Sequence, residues 1–185
     1  MVDVLIACAG LGSRFLTPRH HLPKALAPIG GRPLLGFVLD ELMSVPQVQR
    51  IVVSAYVGYD LLDSYVRTHP LQSRIKVIFD ASQSGFKALI DANLIESEYV
   101  VLMHGDNFYE DSLNPFFSRC VTTEGCCSLV FSADQSQNVG VFLRDARNRL
   151  SFFEKTPGLS ADMTSAAVLG LPFELTKELA SSQAE

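Results

Sequence analysis

The apolar positions of this chain fall into two periodicities. Nearly unbroken apolar runs cover residues 2–9, 50–55, 75–79 and 99–103, the pattern of strands buried on both faces. Between them the spacing changes to three and four. Leu34, Leu35, Val38, Leu39 and Leu42 share one helical face after Pro33, and Leu61, Leu62, Tyr65 and Val66 do so after Gly58. The alternation reads βαβαβαβ, which predicts an α/β fold: a parallel sheet covered on both faces, right-handed crossovers, and ligands at the carboxyl ends of the strands. From Cys126 the pattern shifts to short strands at 128–132, 139–143 and 150–153, with turns at 133–137 and 145–148. A last strand and helix follow between 168 and 180. This predicts a mixed-sheet extension within a single domain of residues 1–185, divided into parts 1–125 and 126–185.

Composition narrows the function classes. The 185 residues are 48% hydrophobic, ordinary for a globular domain. The net charge is -5 and the 15 Lys and Arg are scattered, so no basic stripe is available for a nucleic-acid backbone. Runs such as 2–9 fall far short of the roughly 20 residues a membrane helix needs, and the start lacks the basic flank of a secretion signal. A cytoplasmic protein with no membrane partner is expected. Cys8, Cys120, Cys126 and Cys127 form no C-x-x-C pair; they are expected to be buried thiols, with Cys126 and Cys127 on opposite faces of a strand.

Candidate chemistry begins after the first strand, at Ala9-Gly10-Leu11-Gly12-Ser13-Arg14-Phe15 and, further on, Pro23-Lys24-Ala25-Leu26. Two glycines let the backbone approach a ligand, and exposed N–H groups form a nest for phosphate oxygens. Arg14 adds a planar fork suited to spread charge, and Lys24 a compact point charge. Pro18, Pro23 and Pro28 stiffen the segment. A dinucleotide loop fits poorly, because Phe15 holds the third small position and Ser54-Ala55-Tyr56 offers no acid for a ribose. No Gly-Lys-Ser/Thr ending of a Walker loop occurs. His104-Gly105-Asp106-Asn107-Phe108 follows the fourth strand and puts Asp106 at its carboxyl end. One such Asp is enough to begin a Mg²⁺ site whose other positions are phosphate oxygens and water; a turn-capping Asp is the bland alternative.

The whole segment 6–33, I-A-C-A-G-L-G-S-R-F-L-T-P-R-H-H-L-P-K-A-L-A-P-I-G-G-R-P, closely resembles the signature of sugar-phosphate nucleotidylyltransferases. The resemblance implies a Rossmann-like three-layer sandwich with a mostly parallel central sheet, the nucleotide-diphospho-sugar transferase fold. It implies an enzyme that transfers NMP from an NTP to a sugar 1-phosphate, giving an NDP-sugar and pyrophosphate. Ala9, Gly10, Leu11, Gly12 and Ser13 would wrap the triphosphate, Arg14 would hold the pyrophosphate leaving group, and Lys24 the α-phosphate. Gly105-Asp106-Asn107 resembles the family's metal motif, which makes Asp106 a Mg²⁺ ligand. Residues 80–88 resemble the base-reading segment, with Asp80 five positions before Gly85. A carboxylate accepts hydrogen bonds from guanine or from the cytosine amino group, and Gln83 is an alternative reader, so the base stays open.

Val139-Gly140-Val141 and Phe153-Glu154-Lys155-Thr156-Pro157 resemble a Tyr-Gly-Val strand and a Glu-Lys-Pro turn on the sugar-phosphate side. Gly140 and Glu154 would face the sugar, and Lys155 its phosphate. Val139 replaces the usual Tyr, Thr156 interrupts Glu-Lys-Pro, and Ser165-Ala166-Ala167 stands in place of an Asn-Gly-like sugar contact. On this reading residues 1–125 are the nucleotide-binding half and 126–185 part of the sugar-phosphate half. The family's second metal-binding Asp and its oligomer-forming helices fall beyond the matching end. The expected partners are an NTP and a sugar 1-phosphate, with assembly as a homo-oligomer left open. Two rival readings are a non-catalytic nucleotide-binding module and a nucleotidyltransferase with a non-sugar acceptor such as phosphocholine.

Overall fold

The computed structural model describes residues 1–11, 22–81, 86–91, 93–123, 125–132, 140–147, 150–154 and 163–182. In chain order the elements are β1 (Val2–Ala7), a 3-10 turn (Lys24–Leu26), β2 (Pro28–Ile29), β3 (Arg32–Pro33), α1 (Leu34–Met43), β4 (Val48–Ala55), α2 (Tyr59–Arg67), a second 3-10 turn (Gln72–Arg74), β5 (Ile75–Phe79), α3 (Phe86–Asp91) and β6 (Tyr99–His104). Then come α4 (Asn114–Thr122), β7 (Cys127–Ser132), β8 (Gly140–Arg144), β9 (Leu150–Glu154), β10 (Met163–Pro172) and α5 (Phe173–Ser182). The chain divides into two compact units, Met1–Cys127 with Gly170–Glu185, and Ser128–Leu169.

The first unit is built on four strands in the order β5-β4-β1-β6, each pair parallel. Val4, Leu5 and Ile6 of β1, Ile51, Val52 and Val53 of β4, and Val100 and Val101 of β6 are all fully buried, as strands covered on both faces must be. Right-handed crossovers place α1 and α2 on one face and α3 on the other. Contacts agree: the Tyr65 hydroxyl of α2 lies against Gly36 of α1, and α3 packs with α5. The five apolar residues expected on one face of α1 are all buried, and each contributes about 1.5–3 kcal/mol of transfer free energy. On α2 the stripe is narrower. Leu62 and Val66 are buried, but Leu61 is 52% exposed, because α2 covers the edge strand β5 and one edge strand offers it only a narrow seat.

Other expectations shift too. α4 was not signalled, although Leu113, Phe117 and Cys120 supply its buried side and Pro115 suits its first turn. Cys126 lies just ahead of β7 and is exposed, while Cys8 and Cys127 are half-buried and only Cys120 is fully buried. The chain at Cys126 has not yet entered the ladder, so the alternation expected for the two cysteines does not apply. Among the described residues no helix is long and apolar enough to cross a membrane.

In the second unit β8 pairs antiparallel with β9 and with the first residues of β10, and β7 pairs with β10. An Asx turn at Asp145, whose carboxylate accepts from the Arg147 amide at 2.8 Å, follows β8. Inside β10, Ala167 takes the left-handed conformation at φ 55°.

Two details of the first unit position its carboxyl edge. From β1 the chain steps to β4 and β5 on one side and returns through α3 to β6 on the other, so the order reverses between β1 and β6. That is a topological switch point, where the loops after both strands rise side by side. Asp3, fully buried in β1, accepts hydrogen bonds from the Glu96 amide at 2.6 Å, the Ser97 amide at 2.9 Å and the Ser97 hydroxyl at 3.0 Å. It thereby ties the start of β1 to the entry of β6, holding Val2 opposite Tyr99 and Ala7 opposite His104. At the far end Gly105 donates to the Ala7 carbonyl at 3.2 Å and packs tightly: a Cβ there would stand 2.2 Å from Cys8 Sγ and 3.0 Å from Ile6 Cγ2.

Asp3→Ala strands the buried Ser97 amide and hydroxyl and the half-buried Glu96 amide, and is expected to lower stability by about 3 kcal/mol, read as a fall in urea midpoint. Gly105→Ala overpacks the same sheet by about 1–3 kcal/mol. Adding Cys8→Ala removes the nearest atom and recovers most of that loss, so urea titrations of both singles and the double mutant give a clearly non-additive cycle.

Candidate functional site

The site grows from the two loops at the switch point. Beyond Ala7, the Cys8 amide still donates to Ser54 of β4, to its carbonyl at 3.1 Å and its hydroxyl at 3.3 Å. Ala9 is buried, and the chain then surfaces at Gly10, which is exposed with nothing within 4 Å of where a Cβ would stand. Leu11 follows, 47% exposed. A bare, exposed backbone turn at the end of a parallel strand is the local shape an anionic ligand needs.

Asp106 stands on the neighbouring loop, one residue past the Gly105 contact. Lys24 reaches it from the first 3-10 turn. That turn is closed by the Leu26 amide donating to Pro23 O at 2.8 Å and the Ala27 amide to Lys24 O at 3.0 Å, and it is anchored by buried Ala25 and Leu26. With its backbone so fixed, the Lys24 side chain donates from Nζ to Asp106 Oδ2 at 2.5 Å, across 82 positions of sequence. The ends stay open to solvent, Lys24 at 51% and Asp106 at 29% exposure. A pair this exposed contributes about 0.2–1 kcal/mol, so it contributes little to folding and is free to exchange.

The immediate neighbours of the Asp106 loop hold it with neutral groups. Asn107 Nδ2 donates to the Tyr109 hydroxyl at 3.1 Å. Burial pushes the Tyr109 phenol up to about 12, the Asp106 charge adding to it and the Asn107 bond opposing. Burial likewise pushes the Cys8 thiol up to about 12, with Asp106 reinforcing the shift and the Gly105 backbone opposing it; the neutral thiol is a packing group, not a nucleophile. Phe108 meets Phe37 of α1 edge-on at 5.3 Å, and the Arg32 guanidinium lies over the other ring, 4.6 Å from the Phe37 centroid. Arg32 is held in turn by Asp40, whose carboxyl burial would raise but which the Arg32 and His69 contacts hold below the usual range. Of these neighbours Tyr109, Phe37 and Asp40 did not stand out in the sequence. The aromatic residues beside the acid, at 108 and 109, were the available signal.

The structure thus brings Lys24, Asp106, Ala9, Gly10 and Leu11 to one edge of the first unit. Asp80 ends β5 on the same edge, two strands from β1; it is buried at 3% exposure, and its amide donates to Ala55 O at 2.9 Å. Gly140 and Glu154 belong to the second unit, where they are direct partners on the β8–β9 ladder. Gly12, Ser13, Arg14, Gln83, Gly85 and Lys155 lie outside the described residues, as does the side chain of Glu154. Among the described residues no group of three or more His, Cys, Asp or Glu could hold a metal ion, and Asp106 is a single carboxylate on its loop end. That is a sufficient start for a cation completed by phosphate and water.

Comparison with known proteins places this arrangement. The solved structure of HddC from Yersinia pseudotuberculosis matches with a TM-score of 0.77 at 23% identity, over 96% of this chain and 80% of that one. A UDP-glucose pyrophosphorylase complexed with UDP-glucose matches with a TM-score of 0.76 at 17% identity, over 96% and 80%. These likenesses establish the Rossmann-like nucleotidyltransferase fold. Among curated proteins, the bifunctional protein GlmU of Methanococcus aeolicus is 23% identical over 158 residues, 84% of this chain and 36% of that protein. The D-glycero-alpha-D-manno-heptose 1-phosphate guanylyltransferase of Campylobacter jejuni is 26% identical over 115 residues, 61% and 51%. The chain thus spans at most about half the length of these curated relatives. The model of the MobA-like NTP transferase domain matches residues 4–166, most of the chain, and with the switch-point loops arranged as described this protein belongs to that family.

Proposed function

We propose that the chain is the nucleotide-handling domain of a sugar-1-phosphate nucleotidylyltransferase, transferring NMP from an NTP to a sugar 1-phosphate with release of pyrophosphate. The observation that carries the reading is the Lys24–Asp106 pair at 2.5 Å, beside the open Gly10 turn at the switch point. A metal-binding carboxylate and a phosphate-binding cation are thereby in reach of one ligand. The names of the relatives, which include a heptose 1-phosphate guanylyltransferase, support the same class.

The donor set fits Mg²⁺. Asp106 offers hard oxygens, and one of them already carries a cation in the form of the Lys24 ammonium. Bound there, Mg²⁺ would neutralise triphosphate charge and stabilise the leaving pyrophosphate. The chain's own residues supply the rest. The backbone of Ala9, Gly10, Leu11, Gly12 and Ser13 wraps the triphosphate, Lys24 holds the α-phosphate, and Arg14 steadies the departing pyrophosphate. Asp80 or Gln83, with Gly85, lies at the base, while Gly140, Glu154 and Lys155 receive the sugar phosphate. A phosphate oxygen of the acceptor attacks the α-phosphorus as the bond to the β-phosphate oxygen breaks. No enzyme nucleophile is required, in keeping with a neutral Cys8; catalysis rests on positioning and charge. On this reading the 185 residues act as one domain, working where nucleotide sugars are made in the cytoplasm.

Calorimetric titration with each NTP in Mg²⁺, paired with pyrophosphate release in the presence of glucose and mannose 1-phosphates, tests the proposal. Binding of one NTP with release supports it. Binding without release points to a non-catalytic module, and release only with phosphocholine to another acceptor. In the active chain Lys24→Ala should lower turnover about 100-fold at an unchanged urea midpoint, since Lys24 is half-exposed; full turnover in the stable variant would remove Lys24 from the mechanism.

A further inference from the structure

We infer that Lys24 is an exchangeable counter-ion: in the free chain its ammonium covers the Asp106 oxygen that a divalent cation would take, and it gives that oxygen up far more readily when nucleotide phosphate offers it a new partner. The inference rests on the reading above, in which Asp106 meets metal and Lys24 meets phosphate. It adds that the two cannot hold Asp106 Oδ2 together.

Lys24 Nζ lies 2.5 Å from Oδ2, and a Mg²⁺ ligand bond is about 2.1 Å. Two cations on one oxygen at these distances would stand within roughly 5 Å of each other, with a repulsion that grows as water leaves the site. Asp106 cannot relieve this by moving its backbone, because Gly105 ahead of it is bonded to Ala7 O and wedged against Cys8 and Ile6. Lys24 can. Its turn is anchored by Ala25 and Leu26, but its side chain is half-exposed and has four rotatable bonds through which to swing.

The free site is therefore self-neutralised. A bare divalent cation must displace Lys24 into water and then endure its charge nearby, so it binds weakly. A metal–nucleotide complex brings anionic oxygens that receive the displaced ammonium. Metal and nucleotide then bind with positive coupling, each easing the entry of the other. The coupling keeps an unproductive metal-only state sparsely populated without any closing lid.

The test measures Mn²⁺ alone, without nucleotide, by the loss of its free-ion EPR signal on titration into the full chain. Lys24→Met should bind Mn²⁺ about five- to tenfold more tightly than wild type, Lys24→Arg should stay near wild type because it keeps a cation in place, and Asp106→Asn should abolish the gain in the Lys24→Met background. Equal or weaker Mn²⁺ binding by Lys24→Met, at an unchanged urea midpoint, would overturn the exchange. So would a gain that survives Asp106→Asn. The readout is separate from turnover: pyrophosphate release without the Mn²⁺ gain leaves the transferase and removes the exchange, while the Mn²⁺ gain without release leaves the exchange and removes the transferase.

Discussion

The parallel pairing of β1 with β6 is the constraint on which the site depends. Both strands run the same way and end level, Ala7 opposite His104, so the loops that follow start about 4.8 Å apart and rise from the same edge. A slip of one residue would move Asp106 by about 3.3 Å and turn each side chain of β6 to the other face. Two contacts at opposite ends prevent it. Asp3 binds the amides entering β6, and Gly105 closes on Cys8 at its exit. One is a polar clamp and the other a steric one, and between them lies a core of Val, Leu and Ile that has no directional preference of its own. Burial makes the sheet stable, but these two contacts give it a single register.

Around the Asp106 loop the chain economises on charge. Cys8 and Tyr109 are both held neutral by burial, with the Asp106 carboxylate reinforcing the effect. Phe108 of this loop packs edge-on against Phe37 of α1. Among the described residues Lys24 and Asp106 thus form an ion pair flanked by the neutral Cys8 and Tyr109 side chains. A weak, exposed pair in such a setting stabilises the fold very little. The other polar networks serve architecture: Asp3 with Ser97 at the entry of β6, and Arg32 with Asp40 and His69 behind Phe37.

What the sequence disclosed follows from how local each signal is. Central parallel strands are apolar on both faces, so β1, β4 and β6 were legible within two residues; the edge strand β5, buried only at Val77, was still marked by its β-branched and aromatic residues, and α1 showed its apolar buried stripe. Leu61 misled because a helix on an edge strand buries less than its apolar pattern suggests. The β2–β3 hairpin is two residues a side and carries two prolines, too short for any period to register. α4 hides its stripe among Asn114, Ser118 and Arg119. The resemblance marked Lys24 and Asp106 separately, but their pairing spans 82 positions and no periodicity reports it. Asp3 is the same case: a carboxylate in an apolar run gains its meaning only from Ser97, 94 positions away.

The second unit shows how a departure in side chains can leave backbone shape in place. Residues 165–167 are Ser-Ala-Ala where the resemblance expects an Asn-Gly-like contact, yet Ala167 still adopts the left-handed conformation at φ 55° that Asn or Gly takes far more readily. An Ala there costs about 1–2 kcal/mol, and strain of this kind persists only where the surroundings over-determine it. Part of the surroundings is visible: the Ala167 amide donates to the Ser165 hydroxyl at 3.1 Å, a local bond that Ser supplies as Asn would. The backbone irregularity within β10 therefore stands without an amide side chain at 165–167. Gly140 and Glu154 share one rung of the β8–β9 ladder in the same unit, a pairing set by backbone register and independent of the side chains at 165–167.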